Sequence, residues 1–278
     1  MENGSKAKVS EPPFLEGFCI LLTSAVVTLA WAASLDGLSL GWDTLNHHFY
    51  LGWMAIDGSR LQQDAFAAGS MSCQYSFTYG PLYWLQINGA SGRDAAMILA
   101  LPAIGAAPAI WLITWSLLPQ RTTHAALVRI TSTSMAFLSP LWWSLVDSTS
   151  NDISSSLPML WAFSLMIWRS ACDLDSNSPK GNRLSTAAWM GLVGVLSAVA
   201  LVLKISHVFA MLGLLVLTIA SSSGIRSAFF RLAALSIGGG LVAIFIWWPW
   251  ARQIWKYCGS PFYPMLTESL RPFSAYLP

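Results

Sequence analysis

The sequence predicts an all-α integral membrane protein with about seven transmembrane helices and a large helical first periplasmic loop. The chain is 55% hydrophobic and only 10% charged, whereas soluble domains carry about 25% charged residues. Its mean hydropathy is +0.54. Several apolar runs also approach the roughly 20 residues that a helix needs to cross a bilayer. These three observations indicate that lipid surrounds most of the chain.

The apolar runs divide the chain into a tail, a membrane domain and a C-terminal segment. Residues 1–14 are polar and are expected to form a cytoplasmic tail. The membrane domain, 15–250, includes a long periplasmic loop at 35–94, and residues 251–278 follow it as a periplasmic segment. The predicted spans are, in chain order, 15–34, 95–117, 125–146, 153–169, 185–203, 206–222 and 228–250. The fourth and sixth are the shortest.

The distribution of basic residues predicts the orientation of the membrane domain. With the N-terminus inside, nine of the fifteen Lys and Arg residues fall on the cytoplasmic side: Lys6, Lys8, Arg121, Arg129, Arg169, Lys180, Arg183, Arg226 and Arg231. Cytoplasmic loops carry an excess of such residues. Tryptophans also cluster where two predicted spans leave the opposite side of the bilayer, as interfacial anchors do. The N-terminus is therefore expected in the cytoplasm and the C-terminus in the periplasm.

Charged residues, histidines and aromatic residues crowd together in the first long loop, within residues 41–69. Read as a helix from about Thr44, this stretch carries Asp43, His47 and Tyr50 on one face, because residues three or four apart are neighbours on a helix. The opposite face is apolar. The pattern predicts an amphipathic helix with a polar edge at the membrane surface.

The predicted topology brings ionisable groups from several loops to one level at the outer membrane face. These candidate site residues are Asp43, His47, His48, Arg60, Asp64, Asp152, Lys204, Arg252 and Lys256. Any one of them alone is equally well explained as a solvated loop residue. Lys204 is harder to explain in that way, because it is embedded in the apolar run LVLKISHVFAML. Ionisable groups at such positions usually line a cavity.

Five motifs follow one another along the chain: WDTLNHHFY, GSRLQQDAFAAG, TSNDISSSLPMLWAF, LVLKISHVFAM and CGSPFYPML. In this order they resemble the N-terminal membrane module of GT-C type glycosyltransferases, in particular uncharacterised bacterial multi-span members. The chain departs from the pattern at His47, where the family favours Tyr. It also lacks an Asn-Pro at SFTYGP and a Gly-Asn-Pro at GSP. Relatives usually continue for several more spans than this chain has.

The resemblance implies a sugar donor attached to polyprenyl phosphate and a catalytic base in the first periplasmic loop, which is Asp43 here. Sugar transfer needs such a base for the acceptor hydroxyl and cations for the leaving phosphate. Arg60, Lys204, Arg252 and Lys256 are the candidate cations. His47, His48, Asp64 and Asp152 complete the expected substrate-binding set. The resemblance also implies a bacterial cytoplasmic (inner) membrane.

Neither a cofactor nor a metal ion is expected. Asp43, His47 and His48 are adjacent oxygen and nitrogen ligands, but no fourth ligand accompanies them, so a hydrogen-bonded site is favoured over a metal centre. A nucleic-acid partner is excluded, because the net charge is +2 and basic runs are absent. The predicted topology does place Cys73 and Cys258 in one oxidising compartment, where they could form a disulfide.

Three functions stay open at this point. The first is a glycosyltransferase that uses a polyprenyl-phosphate-linked sugar donor at the periplasmic membrane face. The second is a non-catalytic transmembrane subunit, built on a degenerate GT-C scaffold, with protein partners in a larger membrane complex. The third is a transporter for a lipid-linked substrate. All three require contact with membrane lipid.

Overall fold

The computed structural model describes residues 12–57, 69–146, 148–175 and 183–274. Within these ranges the chain is helical throughout, apart from turns and one isolated β-bridge between Ser39 and Ser148. The α-helices, numbered in chain order, are α1 Phe14–Ser34, α2 Phe49–Ile56, α3 Gly80–Ile87, α4 Gly92–Ile104, α5 Ala106–Leu117, α6 Thr123–Met135, α7 Pro140–Val146, α8 Asp152–Asp175, α9 Arg183–Leu203, α10 Val208–Ala220, α11 Ile225–Val242, α12 Trp248–Cys258 and α13 Thr267–Ser274.

Four stretches of helix in the described ranges are long and apolar enough to cross a membrane. They are Phe14–Ser34, Gly92–Leu117, Ser185–Leu203 and Ile225–Cys258. A shorter apolar helical stretch, Ile205–Ala220, lies between the last two. The predicted all-helical fold is therefore confirmed, and these four stretches have the length and apolar composition that a membrane span requires. Four stretches have this length and composition, so the seven crossings predicted from hydropathy stay a prediction.

Proline and glycine divide two of the predicted spans into shorter helices. The predicted span 125–146 is broken, because α6 ends at Met135 and α7 begins at Pro140. Proline has no N–H to continue a helix and clashes with the preceding turn, so a new helix starts there. In the second span, α4 and α5 are separated at Gly105. The sequence located the apolar segments but did not predict these breaks.

Glycines bring α9 and α11 into close backbone contact. A Cβ atom added at Gly238 would lie 2.0 Å from the carbonyl oxygen of Gly191, and one at Gly194 would lie 2.0 Å from that of Leu235. Only a residue without a side chain fits at these positions. Small residues are the usual way in which membrane helices bring their backbones together.

A buried ion pair ties α1 to α6. Arg129 is 1% exposed, and its guanidinium donates to both carboxylate oxygens of Glu16, at 2.8 and 2.6 Å. A further guanidinium nitrogen donates to the carbonyls of Leu118 and Gln120. The charge of Arg129, which the orientation prediction counted on the cytoplasmic side, is thus neutralised inside the bundle.

Candidate functional site

A π-helical turn begins the loop helix that the sequence predicted from about Thr44. The turn covers Thr44–His48 and leads directly into α2. Both His47 and His48 are buried, whereas Leu45 is 69% exposed. The turn therefore directs both imidazole rings into the protein. Single π-helical turns within α-helices occur frequently at functional sites.

The segment before α8 docks onto this turn. Backbone pairing of Ser39 with Ser148 holds the two segments side by side. The next residue, Thr149, has its hydroxyl oxygen 2.6 Å from both the Thr44 hydroxyl and Nδ1 of His48. All three side chains are buried. These contacts hold one edge of the His48 ring, and its face stacks on Tyr79 with the ring centroids 4.4 Å apart.

Asp152 and Lys204 form an ion pair between the start of α8 and the end of α9. The Lys204 ammonium and the Ser150 hydroxyl both donate to the Asp152 carboxylate. Burial raises the pKa of Asp152, but the hydrogen bonds from Lys204 and Ser150 outweigh it, so the pKa lies below its ordinary value. Asp152 is therefore a carboxylate at neutral pH. Lys204 retains ammonium hydrogens that Asp152 does not occupy, since an ammonium has three donors.

These groups surround one cavity of about 390 Å³, which we call the loop-side cavity. It lies where the loop segments meet the ends of α8, α9 and α11. Its lining comprises Asp43, His47, His48, Met71, Cys73, Gln74, Tyr75, Tyr79, Ser150, Asn151, Asp152, Leu201, Val202, Leu203, Lys204, Ile205, Ser206, Trp247, Trp250, Ile254, Pro261, Phe262, Tyr263 and Pro264. A second π-helical turn, Ala243–Trp247, contributes Trp247 to the same wall.

Both cavity histidines are held in the neutral form. Burial lowers the pKa of His47, and Asp43 opposes the change. Burial also lowers the pKa of His48 to about 4, with further lowering from His47 and Lys204, while Asp43 and Asp152 act in the opposite direction. Desolvation disfavours the charged form of an imidazole. Both imidazoles are therefore neutral at neutral pH.

Two buried nitrogens of the cavity wall lack a hydrogen-bond partner among the described residues. One is Nδ1 of His47, whose nearest charged neighbour is the Asp43 carboxylate at 3.9 Å. The other is the indole nitrogen of Trp250. Each of these two side chains is 6% exposed. Buried polar groups are almost always paired, so the wall has hydrogen-bonding capacity for a bound molecule.

A disulfide closes the cavity on the side of the C-terminal segment. Cys73 and Cys258 are bonded, with their Cα atoms 6.3 Å apart. The bond joins the turn Gly69–Cys73 to the end of α12, immediately before the segment 261–264 that covers the cavity. The disulfide that the predicted topology allowed is therefore present.

Five of the nine predicted site residues line the cavity: Asp43, His47, His48, Asp152 and Lys204. Arg252 and Lys256 do not. They are exposed on α12, because that helix buries Trp250, Ala251 and Ile254 on its other side. Arg60 and Asp64 lie outside the described residues. The sequence prediction therefore overestimated the number of cations at the cavity among residues that the structure describes.

Sequence reasoning did not identify three residues of the site. Thr149 begins the TSNDISSSL motif, but its hydrogen bonds to Thr44 and His48 join residues about a hundred positions apart, so no local pattern indicates them. Tyr79 and Trp250 belong to aromatic segments that were interpreted as loop and interfacial residues. Within the described ranges, no cluster of three or more His, Cys, Asp or Glu side chains has metal-binding geometry.

Comparisons of the chain with protein-family models, curated proteins and solved structures give no match. Its function must therefore be argued from the cavity itself. The cavity combines an exposed carboxylate, an ion pair, neutral histidines and aromatic walls at the end of a membrane bundle. Such a combination can bind a polar head group and accept a proton from it.

Proposed function

We propose that this protein is a GT-C-like glycosyltransferase that transfers a sugar from a polyprenyl-phosphate donor at the periplasmic face of a bacterial inner membrane. The observation that carries the proposal is the loop-side cavity, where Asp43, His47, His48, Asp152 and Lys204 meet from three distant parts of the chain. The resemblance of the motifs around these residues to GT-C proteins supports the same assignment. The donor and the membrane lipid are then its principal partners.

Asp43 is the proposed base. Its side chain is 63% exposed at the cavity, and its nearest described ionisable partner is Nδ1 of His47, at 3.9 Å. In the reaction, an acceptor hydroxyl oxygen bonds to the anomeric carbon of the sugar and its proton passes to Asp43. The bond from that carbon to the phosphate oxygen breaks, and polyprenyl phosphate leaves with the electron pair. A base in hydrogen-bond reach of the hydroxyl accelerates such a step.

Lys204 is the proposed contact for the phosphate. Asp152 occupies the ammonium on one side only, so the free ammonium hydrogens can donate to phosphate oxygens while the pair stays intact. The side-chain N–H of Trp250, which has no partner among the described residues, is a further donor in the same wall.

Aromatic side chains give the cavity surfaces that suit a sugar ring. Trp247, Tyr75, Tyr79 and Tyr263 all belong to its lining. Aromatic rings with a polar edge bury an apolar face while keeping a hydrogen-bonding atom available. A sugar ring combines the same two properties, with C–H groups on its faces and hydroxyls at its edge.

The proposed topology has seven crossings, with the N-terminus in the cytoplasm and the loop-side cavity in the periplasm. Four helical stretches are long and apolar enough to span a membrane, and the other predicted spans fall on shorter or less apolar helices. The Cys73–Cys258 bond supports this orientation, because disulfides form and persist in the oxidising periplasm and are rare in the cytoplasm. Lipid-linked sugar donors would then reach the cavity from the outer leaflet.

Transfer activity tests the proposal directly. The purified protein is reconstituted in liposomes with radiolabelled polyprenyl-phosphate hexoses and bacterial membrane extract as the source of acceptor. Asp43→Asn should reduce transfer at least about a hundredfold, because the amide keeps the shape but cannot take the proton. Asp36→Asn, in an exposed loop position outside the cavity lining, is the control and should retain activity. Equal activity of the two variants would exclude Asp43 as the base.

Lys204 should affect donor binding more than turnover. Lys204→Gln is expected to raise KM for the donor with a smaller effect on kcat, because a phosphate contact made equally in the ground and transition states contributes uniform binding. Lys256→Gln, exposed on α12, serves as the matched control. A fall in kcat at unchanged KM for Lys204→Gln would contradict the phosphate role.

A further inference from the structure

Thr44, Thr149 and His48 form a hydrogen-bond network that limits which ring nitrogen of His48 can carry the proton. The Thr149 hydroxyl lies 2.6 Å from the Thr44 hydroxyl and 2.6 Å from His48 Nδ1. The three residues are 1%, 7% and 5% exposed, respectively. Neither threonine hydroxyl has another partner among the described residues. Each of the two threonine hydroxyl protons must therefore be donated to an atom of these three side chains, because a buried donor without an acceptor is costly.

Counting protons leaves one arrangement. If His48 Nδ1–H donated to Thr149 and Thr149 donated to Thr44, the Thr44 proton would have no acceptor. If both His48 and Thr44 donated to Thr149, the Thr149 proton would have none. The remaining order runs from Thr44 to Thr149 to His48 Nδ1, and it uses both hydroxyl protons. Nδ1 then carries no hydrogen, and a neutral ring has its proton on Nε2.

We propose that His48 is a fixed neutral donor, which presents Nε2–H to a phosphate oxygen of the lipid-linked substrate, and that Thr149 positions it. This inference rests on the proposed function for the identity of the ligand. It assigns His48 a role different from a base, a cation or a metal ligand, because Nε2 already carries hydrogen. Thr149 acts through His48 and is a positioning residue.

The surroundings of the ring are consistent with a neutral donor. The charged groups that act on His48 are Asp43, Asp152 and Lys204, and burial lowers its pKa to about 4. An imidazolium would attract the Asp43 carboxylate, whose free charge the base role requires. A neutral N–H instead contributes a dipole to the phosphate without a new positive charge. Stacking on Tyr79 fixes the ring plane, so the direction of the N–H bond is set before the ligand arrives.

The tautomer can be measured without any activity assay. The full-length protein is labelled with ¹⁵N-histidine, placed in lipid nanodiscs and examined by NMR at pH 7. The chain has four histidines, and loss of a signal in His48→Gln assigns the residue. We expect a pyridine-type shift for Nδ1 and a pyrrole-type shift for Nε2. A pyrrole-type Nδ1 or an imidazolium spectrum at pH 7 would overturn the proposal.

Two substitutions at Thr149 separate positioning from general structural damage. Thr149→Ser keeps the hydroxyl and should keep the wild-type tautomer. Thr149→Val removes the hydroxyl and should give a mixture of tautomers while the protein stays folded, as judged by unchanged elution in gel filtration. A folded Thr149→Val protein with a pure wild-type tautomer would show that Thr149 does not hold the ring.

The ligand arm uses farnesyl phosphate, inorganic phosphate and farnesol as probes. We expect the Nε2 signal of His48 to shift with farnesyl phosphate and not with farnesol, since the phosphate oxygen is the acceptor. An equal shift of the Nε2 signal with inorganic phosphate would refute a lipid-linked ligand. The absence of a shift with either phosphate would refute the role of His48 as a donor. If the expected shifts occur but the protein transfers no sugar, the proposed function fails while the phosphate site stands.

Discussion

Replacing Gly238 by alanine should loosen the contact between α9 and α11. The added Cβ would lie 2.0 Å from the carbonyl oxygen of Gly191 and 2.8 Å from its carbon, whereas ordinary contact begins at 3.4 Å. Because both neighbours are backbone atoms, no side-chain rotation relieves the clash. The two helices would have to separate by roughly 1.4 Å at this point, in an interior that is normally close-packed.

The expected cost can be isolated with a control in the same helix. Overpacking a well-packed interior typically costs about 1–3 kcal/mol, and a clash with backbone belongs at the upper end. Gly240 has no atom within 4 Å of an added Cβ, so Gly240→Ala carries only the gain in helix propensity that both variants share. The difference between the two variants therefore measures the clash alone.

Thermal unfolding in detergent at one fixed scan rate is the assay. With about 2–4 °C of Tm per kcal/mol for a chain of this size, Gly238→Ala should unfold roughly 6–12 °C below Gly240→Ala. Gly194→Ala, which would meet the Leu235 carbonyl oxygen at 2.0 Å, should show a similar loss. Equal midpoints for Gly238→Ala and Gly240→Ala would refute the close approach of the two backbones.

Glu16→Gln should destabilise the protein by about 3 kcal/mol, because it leaves the buried Arg129 guanidinium without its carboxylate. Thermal unfolding measures this loss against the control Glu268→Gln, an exposed position. Equal unfolding midpoints for the two variants would argue against the buried pair. Cys73→Ser and Cys258→Ser should each lower stability by about 2–5 kcal/mol, and the double variant no further, since all three remove one bond. An additive double variant would be incompatible with that bond. Stability should also fall as pH drops from about 6.5 to about 4, because the unfolded chain binds a proton that folded His48 excludes. Denaturant titrations at several pH values should show that the free energy of unfolding depends less on pH in His48→Gln than in the wild type. An unchanged pH dependence would contradict the neutral buried ring.

Hydropathy predicted where helices lie better than how they are rotated. The apolar runs located the helices, and their ends placed Asp43, Asp152 and Lys204 at one level, where they line a common cavity. Arg252 and Lys256 were expected at the same level, but they are exposed on α12, because the packing of Trp250 and Ile254 sets the rotation of that helix about its axis. The position of a residue along the bundle follows from the length of its helix, whereas the side to which its side chain points follows from the tertiary contacts of that helix.

The details that define the chemistry of the site depend on long-range contacts. The π-helical turn at Thr44–His48 has no signature in the residue pattern, yet it decides that both histidines are buried. The tautomer of His48 depends on Thr149, about a hundred residues later in the chain. The disulfide could be considered from the sequence only because both cysteines were predicted in one oxidising compartment. Its formation also requires the short distance between their Cα atoms that the fold provides.

The Cys73–Cys258 bond also sets an order of events during biosynthesis. The two cysteines are 185 residues apart in sequence, and helices α3 to α12 lie between them. The bond cannot form until Cys258 has been synthesised and α12 has packed against the loop segment that carries Cys73. Until then, Cys73 is a free thiol that exchange enzymes can attack. Closure of the cavity wall therefore marks chains in which α3 to α12 have been synthesised and packed, and a chain stalled before Cys258 carries a free thiol instead.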